Sequence, residues 1–109
     1  MPLADEPITI ASKSSPREIT LLSQELENWS IIEDNISKLR KKFIFPTFAA
    51  AMVFVNKVAI LAEYEDHHPE ITFSWGEAVV RWWSHDSGGI TRDDFIMAAK
   101  TDVIAHGHG

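Results

Sequence analysis

The stretch Phe48-Ala49-Ala50-Ala51-Met52-Val53-Phe54-Val55-Asn56-Lys57-Val58-Ala59-Ile60-Leu61-Ala62 decides the fold, and it runs directly into Glu63-Tyr64-Glu65-Asp66-His67-His68-Pro69. Phe48, Met52, Val55, Ala59 and Ala62 form one stripe at helical spacing; Ala51, Phe54, Val58 and Leu61 form a second beside it. A helix apolar over so wide an arc is covered on more than one side. A sheet on one side and a second subunit on the other would satisfy it. Pro46 and Thr47 mark its start. Pro69 ends it, because proline lacks an N–H and restricts the residue before it. Glu65 and Asp66 then stand near the negative end of the helix dipole, a placement that costs about 0.3–1 kcal/mol for each acid. This local conflict draws attention to the helix end as a site.

Beyond Pro69, Ile71-Thr72-Phe73-Ser74-Trp75 alternates apolar and polar as a strand does. Gly76-Glu77 is the expected two-residue hairpin turn. The return strand, Ala78 to Ser84, carries Val80, Trp82 and Ser84 on one face and Val79, Arg81, Trp83 and His85 on the other. Asp86-Ser87-Gly88-Gly89 is a loop, and Thr91-Arg92-Asp93-Asp94 is a capping box opening a last helix through Phe95, Ile96, Ala99 and Val103.

Upstream, Ser15-Pro16-Arg17-Glu18 opens a first helix, expected to end near Asn28 and to bury Ile19, Leu22, Leu26 and Trp29. Trp29 to Glu33 reads as a short strand and Asp34-Asn35 as a turn. A second strand runs from about Ser37 to Phe45, with Leu39, Phe43 and Phe45 on one face, interrupted by Lys41. Lys38, Arg40 and Lys42 point the other way. The order α-β-β-α-β-β-α predicts an α+β two-layer sandwich: a four-stranded antiparallel sheet with three helices on one face. Residues 15–104 form the single expected domain, between a flexible leader over 1–14 and a flexible tail over 105–109 that includes His106 and His108.

The bulk properties narrow the function classes. A chain of 109 residues with 45% hydrophobic and 24% charged residues suits one globular domain. A formal charge of −6 argues against general nucleic-acid binding, which needs clustered Lys and Arg. The absence of cysteine excludes disulfides, thiolate metal sites and cysteine nucleophiles, and it fits a reducing compartment. No apolar run approaches the roughly 18–20 residues that span a bilayer, and the acidic first residues lack signal-peptide character. A cytoplasmic protein without membrane contact is expected.

The polar candidates are Glu63, Asp66, His67, His68, His85 and Asp94, drawn from a helix end, a strand end and a helix start. Histidine donates or accepts a proton near neutral pH, so three of them suit opposite steps of one reaction. Nearby carboxylates raise a histidine pKa. Each residue also has a plain structural role. Histidines are welcome at a helix C-terminus, His85 can be a strand-end residue, Asp94 completes a capping box, and Trp75 can be an ordinary core aromatic. No His-Glu-x-x-His metal motif and no Gly-x-Ser-x-Gly nucleophile turn is present. Neither a metal nor another cofactor is expected.

Taken together, these residues resemble the signature of the pterin-4a-carbinolamine dehydratases. Glu63 is followed by three residues and His67-His68-Pro69, then by five residues and Trp75, nine residues and His85, and eight residues and Asp94. Trp29, Phe43-Ile44-Phe45 and Gly89-Ile90-Thr91 are similar to further family positions, so the likeness extends from about Ser15 to Val103. The resemblance implies a homodimer or homotetramer, a tetrahydropterin substrate, and loss of water from 4a-hydroxytetrahydropterin to give the quinonoid dihydropterin. It implies His67 and His85 as acids on opposite faces of C4a and His68 as ring holder and base. Glu63, Asp66 and Asp94 would orient histidines or bind the ring edge, Pro69 would fix the loop, and Trp75 would wall the pocket. The same fold also serves as a protein-binding module, a coactivator or assembly factor, and the outward Val79, Arg81 and Trp83 are the surface expected for that role.

Overall fold

The computed structural model describes residues 2–107, and its elements follow the expected order. They are α1 (Pro16–Ser23), β1 (Ser30–Asp34), β2 (Ile36–Ile44), α2 (Phe48–Glu65), β3 (Glu70–Ser74), β4 (Glu77–Trp82) and α3 (Arg92–His106). The four strands form one antiparallel sheet in the order β1-β2-β4-β3, with the helices layered on one face. Leu39 and Phe43 on β2 and Ala78, Val80 and Trp82 on β4 bury the helix-facing side. The core side of α2 is mainly the second stripe: Ala51, Phe54 and Val58 are buried, joined by Ala62 at the end of the first, while Phe48 and Met52 of the first stripe, with Val53 and Ile60 from neither, remain exposed. Phe54 joins α2 to β2, its ring centroid 4.7 Å from Phe43 and 5.0 Å from Phe45.

Lys41, which interrupts the apolar face of β2, is matched from across the core. Its Nζ donates to Asp102 Oδ1 at 2.7 Å, and Trp29 Nε1 donates to Asp102 Oδ2 at 3.0 Å. Lys38, on the outward face, is buried against the Trp83 ring at 4.2 Å and bonds Asp34 at 3.1 Å. Arg81 is held by Glu70 at 2.7 Å. Paired charges therefore cover much of the outward face around Val79 and Trp83.

Five local expectations are corrected. The first helix stops at Ser23, not near Asn28. Beyond it Glu25 N bonds Leu22 O and Leu26 N bonds Ser23 O, the tighter i→i−3 spacing, and Asn28 takes a left-handed φ of 66° that turns the chain into β1. The β3–β4 turn is Trp75-Gly76 and not Gly76-Glu77, since Ser74 pairs with Glu77. Gly76 there has φ +75°, and a Cβ would sit 3.3 Å from the carbonyl oxygen of Phe45. On α3, Val103 is exposed whereas Met97 and Ala98 are fully buried.

The reason for that last difference is the fourth correction: the leader expected to be flexible is docked along α3. Leu3 is buried in a short 3-10 turn, Lys100 Nζ donates to Ala4 O at 2.7 Å, and Arg92 grips both Glu6 carboxylate oxygens at 2.9 Å. The Arg92 guanidinium holds the Glu6 carboxyl below the usual range by hydrogen bonding and charge, more than offsetting burial. Thr9 N and Ala11 N both donate to Asp93, and Ser14 N donates to Ile90 O. Between Thr9 and Ala11, Ile10 is forced to φ 56°. A left-handed backbone at a β-branched residue costs of order 1–3 kcal/mol. At the other end, Ala105 and His106 belong to α3 rather than to a tail, and His108 and Gly109 lie outside the described residues.

Phe54 is fully buried at the junction of α2 and β2. Phe54→Ala is expected to lower unfolding free energy by about 3–5 kcal/mol, read as a fall in urea midpoint at unchanged slope.

Candidate active site

At the end of α2 the chain reverses through Asp66, which adopts φ 52° and ψ 44° and caps the helix by donating its N–H to Ala62 O. His67 N also bonds Ala62 O, at 3.1 Å. This left-handed cap sends His67 back toward the core, where its ring lies nearly parallel to Trp82 with centroids 5.7 Å apart. His67 Nε2 meets Asp94 Oδ1 at 2.6 Å. Asp94 is fully buried, and its other oxygen accepts from Ser84 Oγ and from Thr91 N, each at 2.8 Å. The second of these bonds is the capping box of α3. One carboxylate thus caps a helix with Oδ2 and orients a histidine with Oδ1.

Burial lowers the His67 pKa, but the hydrogen bond and charge of Asp94, with the charges of Asp93 and Asp66, outweigh it and raise the value above the usual 6.5. With Nε2 engaged by Asp94, Nδ1 is the nitrogen left to exchange a proton.

His68 turns outward and pairs through Nε2 with Glu63 Oε2, both side chains being largely exposed. His85 follows β4, past Trp83 and Ser84, and is exposed. All three histidines line one cleft of about 480 Å³, together with Glu65, Asp66, Asp86 and Asp93. Its apolar lining comes from Trp83 and, unexpectedly, from Ile8, Ile10 and Ala11 of the N-terminal segment.

The expected residues therefore divide. His67, His68, His85 and Asp66 border the cleft, Asp94 stands behind His67, and Glu63 braces His68. Pro69 lies between His68 and the first residue of β3. Trp75 is not brought to the cleft. It sits 75% exposed in the β3–β4 turn, while His67–Pro69 and His85 flank the opposite end of that hairpin. Within one protomer the antiparallel strands keep it apart. Ser84, Thr91, Trp82 and Asp93 were not foreseen as site residues. For Ser84 the signal was present: a hydroxyl on the Trp82 face of a strand, pointing into the core, needs a partner. The described residues contain no group of three His, Cys, Asp or Glu side chains arranged to hold a metal ion, and no described helix is long and apolar enough to cross a membrane.

An α+β sandwich with histidines and carboxylates gathered at one end of its sheet is the class of protein defined so far. The comparisons narrow it. A family model for pterin 4 alpha carbinolamine dehydratase matches residues 12–104. A protein of Chlorobium limicola is 46% identical over 91 residues, covering 83% of this chain and 80% of its own length. One of Marinobacter nauticus is 48% identical over 102 residues, covering 93% and 87%. Both are provisionally named pterin-4-alpha-carbinolamine dehydratase. A Brucella melitensis crystal structure, described as a transcriptional coactivator/pterin dehydratase, superposes with TM-score 0.80 at 29% identity over 86% of this chain and 99% of that one. A pterin dehydratase-like RuBisCO assembly factor of the alpha-carboxysome shares the fold, with TM-score 0.62 at 24% identity over 72% of this chain and 90% of that one. The chain belongs to the pterin-4a-carbinolamine dehydratase family.

A raised native pKa at His67 means that the native state favours the protonated ring. The stability this supplies is fully present below the unfolded value near 6.5 and is lost as pH rises through the higher native value. Asp94→Asn removes the charge at 2.6 Å. The His67 titration midpoint, followed by NMR of the ring protons, is expected to fall in that variant, and the stability lost above pH 6.5 to shrink with it.

Proposed function

We propose that the protein dehydrates 4a-hydroxytetrahydropterin to quinonoid dihydropterin by histidine acid–base catalysis, as a cytoplasmic homo-oligomer serving tetrahydrobiopterin recycling. The observation that carries this reading is the gathering of His67, His68 and His85 on one cleft, with a buried carboxylate fixed behind His67. The reaction breaks the C4a–O bond and the N5–H bond. The departing hydroxyl takes a proton and leaves as water, the N5 proton passes to a base, and the C4a=N5 double bond forms. No electrons enter or leave. Water and two proton transfers balance it, and positioned groups near neutral pKa suffice.

His67 is suited to be an acid. Its pKa is raised above the ordinary histidine value, and Asp94 stabilises the imidazolium while holding Nε2. Nδ1 is then the donor to the leaving hydroxyl. His85, on the far side of Trp83 and Ser84 in the chain, is assigned the complementary acid role on the other ring face. His68, braced by Glu63, is assigned to hold the ring and accept the N5 proton. Asp66, on the cleft border, is assigned to the N–H donors of the amino-pyrimidinone edge. An acidic rim suits that edge, which presents donors rather than charge.

The exposed Phe48, Met52, Val53 and Ile60 of α2 favour a protein contact. We assign it to self-association, which would cover these exposed side chains. A non-catalytic binding module would use the same face without needing the histidines. Recovery of a stoichiometric foreign partner, together with no dehydratase activity, would establish that alternative.

Stopped-flow decay of chemically generated 4a-hydroxytetrahydropterin is the direct test. Purified protein is expected to accelerate decay over buffer; an unchanged decay would refute the proposal. His67→Ala is expected to lower kcat by about 10²–10⁴-fold. His68→Ala is expected to weaken or abolish activity with its circular dichroism and Tm close to wild type, since the side chain is largely exposed.

A further inference from the structure

Most residues that line the cleft are polar or charged, yet a pterin bicycle presents two flat, largely apolar ring faces. Of the four apolar residues on the cleft, Ile8, Ile10 and Ala11 come from the N-terminal segment, and only Trp83 comes from the sheet. Ile8 packs partly against the core cluster. Ile10 does the reverse: it is 93% exposed, in the left-handed region at φ 56°. Neither hydrophobic burial nor backbone preference accounts for an isoleucine held there. What holds it is Asp93. This side chain is 3% exposed and receives Thr9 N on Oδ1 at 3.1 Å and Ala11 N on Oδ2 at 2.8 Å. The carboxylate straps the residues on either side of Ile10, and the next residue in the chain is Asp94, which fixes His67. The wall and the proposed acid are therefore positioned by adjacent residues of one helix turn.

We propose that residues 8–11 form the apolar wall of the pterin site, with Ile10 contacting the ring face and Asp93 acting as the positioning residue that presents it. This rests on the pterin-dehydratase reading. The strained isoleucine is then maintained for binding: it lies exposed in the free protein and is covered by ligand. Ile8 anchors the segment, Asp93 sets its path, and the Ile10 side chain supplies the contact area.

Wild type, Ile10→Gly, Asp93→Asn and the double variant are compared by steady-state dehydration kinetics, by fluorescence titration with a stable dihydropterin, and by light scattering. Ile10→Gly is expected to raise KM and Kd about five- to tenfold, the loss of one partly buried aliphatic side chain, with kcat within about twofold of wild type. Its Tm is expected to stay level or rise, because glycine adopts positive φ without strain. Asp93→Asn turns an acceptor oxygen into a donor facing an amide, so it should raise KM similarly. The double variant should then raise KM no further than the larger single effect, the signature of two residues acting through one contact.

An active wild type whose Ile10→Gly variant keeps KM and Kd unchanged would overturn this proposal while leaving the dehydratase reading intact. Fully additive effects would assign Asp93 a separate role and overturn the strap. A changed mass for Ile10→Gly would give the exposed isoleucine to a subunit contact instead, and would also overturn it. A wild type that neither binds nor turns over a pterin would remove the parent reading and this one together.

Discussion

The carboxylate of Asp94 is the constraint on which the rest depends. It is fully buried, so each of its oxygens must find donors, and the ends of three different elements supply them. His67 arrives from the end of α2, Ser84 from the end of β4 and Thr91 from the start of α3. A buried carboxylate left without such donors would cost several kcal/mol, so the three ends cannot separate independently. The arrangement that satisfies Asp94 also fixes the orientation of His67 and raises its pKa. Here the stability of the fold and the preparation of the site are the same set of bonds.

Features encoded by short-range periodicity or by one residue's chemistry were legible in the sequence. The α2 stripe through Phe54 and Val58, the β4 face of Ala78, Val80 and Trp82, and the caps at Thr47 and Thr91 all follow from local rules. Features that depend on a distant partner were not. Lys41 reads as a break in a core face until Asp102, on α3, is placed opposite it. Met97 and Ala98 fall off the predicted helix face because the N-terminal segment covers a second side of α3, making that helix buried through consecutive residues. The leader itself misled for a compositional reason. Its prolines and serines suggest a mobile chain, and its attachments use Glu6, backbone amides and Leu3, which carry no periodicity.

The site was legible to a similar depth. Spacing brought the three histidines and Asp94 to notice, and the left-handed cap at Asp66 supplies the geometry that spacing alone does not. The earlier electrostatic conflict at that helix end is also clarified. Glu65 lies 3.9 Å from Lys100, and the charge of Asp66 helps to raise the His67 pKa. Asp94 had two competing readings, a capping residue or a histidine partner. It is both, because its two oxygens serve different donors. Trp75 lies away from the cleft of its own protomer for a topological reason that linear spacing does not carry: a hairpin turn and the hairpin's open end lie at opposite ends of the strands.

The three histidines, alike in sequence, stand in graded surroundings. His67 is half-buried against Trp82 and bound to a buried acid; His68 is exposed and bound to an exposed acid; His85 is exposed, and its ring has no protein hydrogen-bond partner among the described residues. Under the proposed reaction this gradation separates the roles. Of the two histidines assigned as acids, only His67 has a fixed anion shielded from solvent beside it, which favours its charged form. A group that binds ligand and accepts a proton benefits from mobility and water access, which the exposed pair at His68 retains. The His85 ring, with no competing bond among the described residues, is open to a hydroxyl on the other ring face. Environment, more than residue type, therefore distinguishes the three, and each environment traces to the cap, strand end or helix start that delivers the side chain.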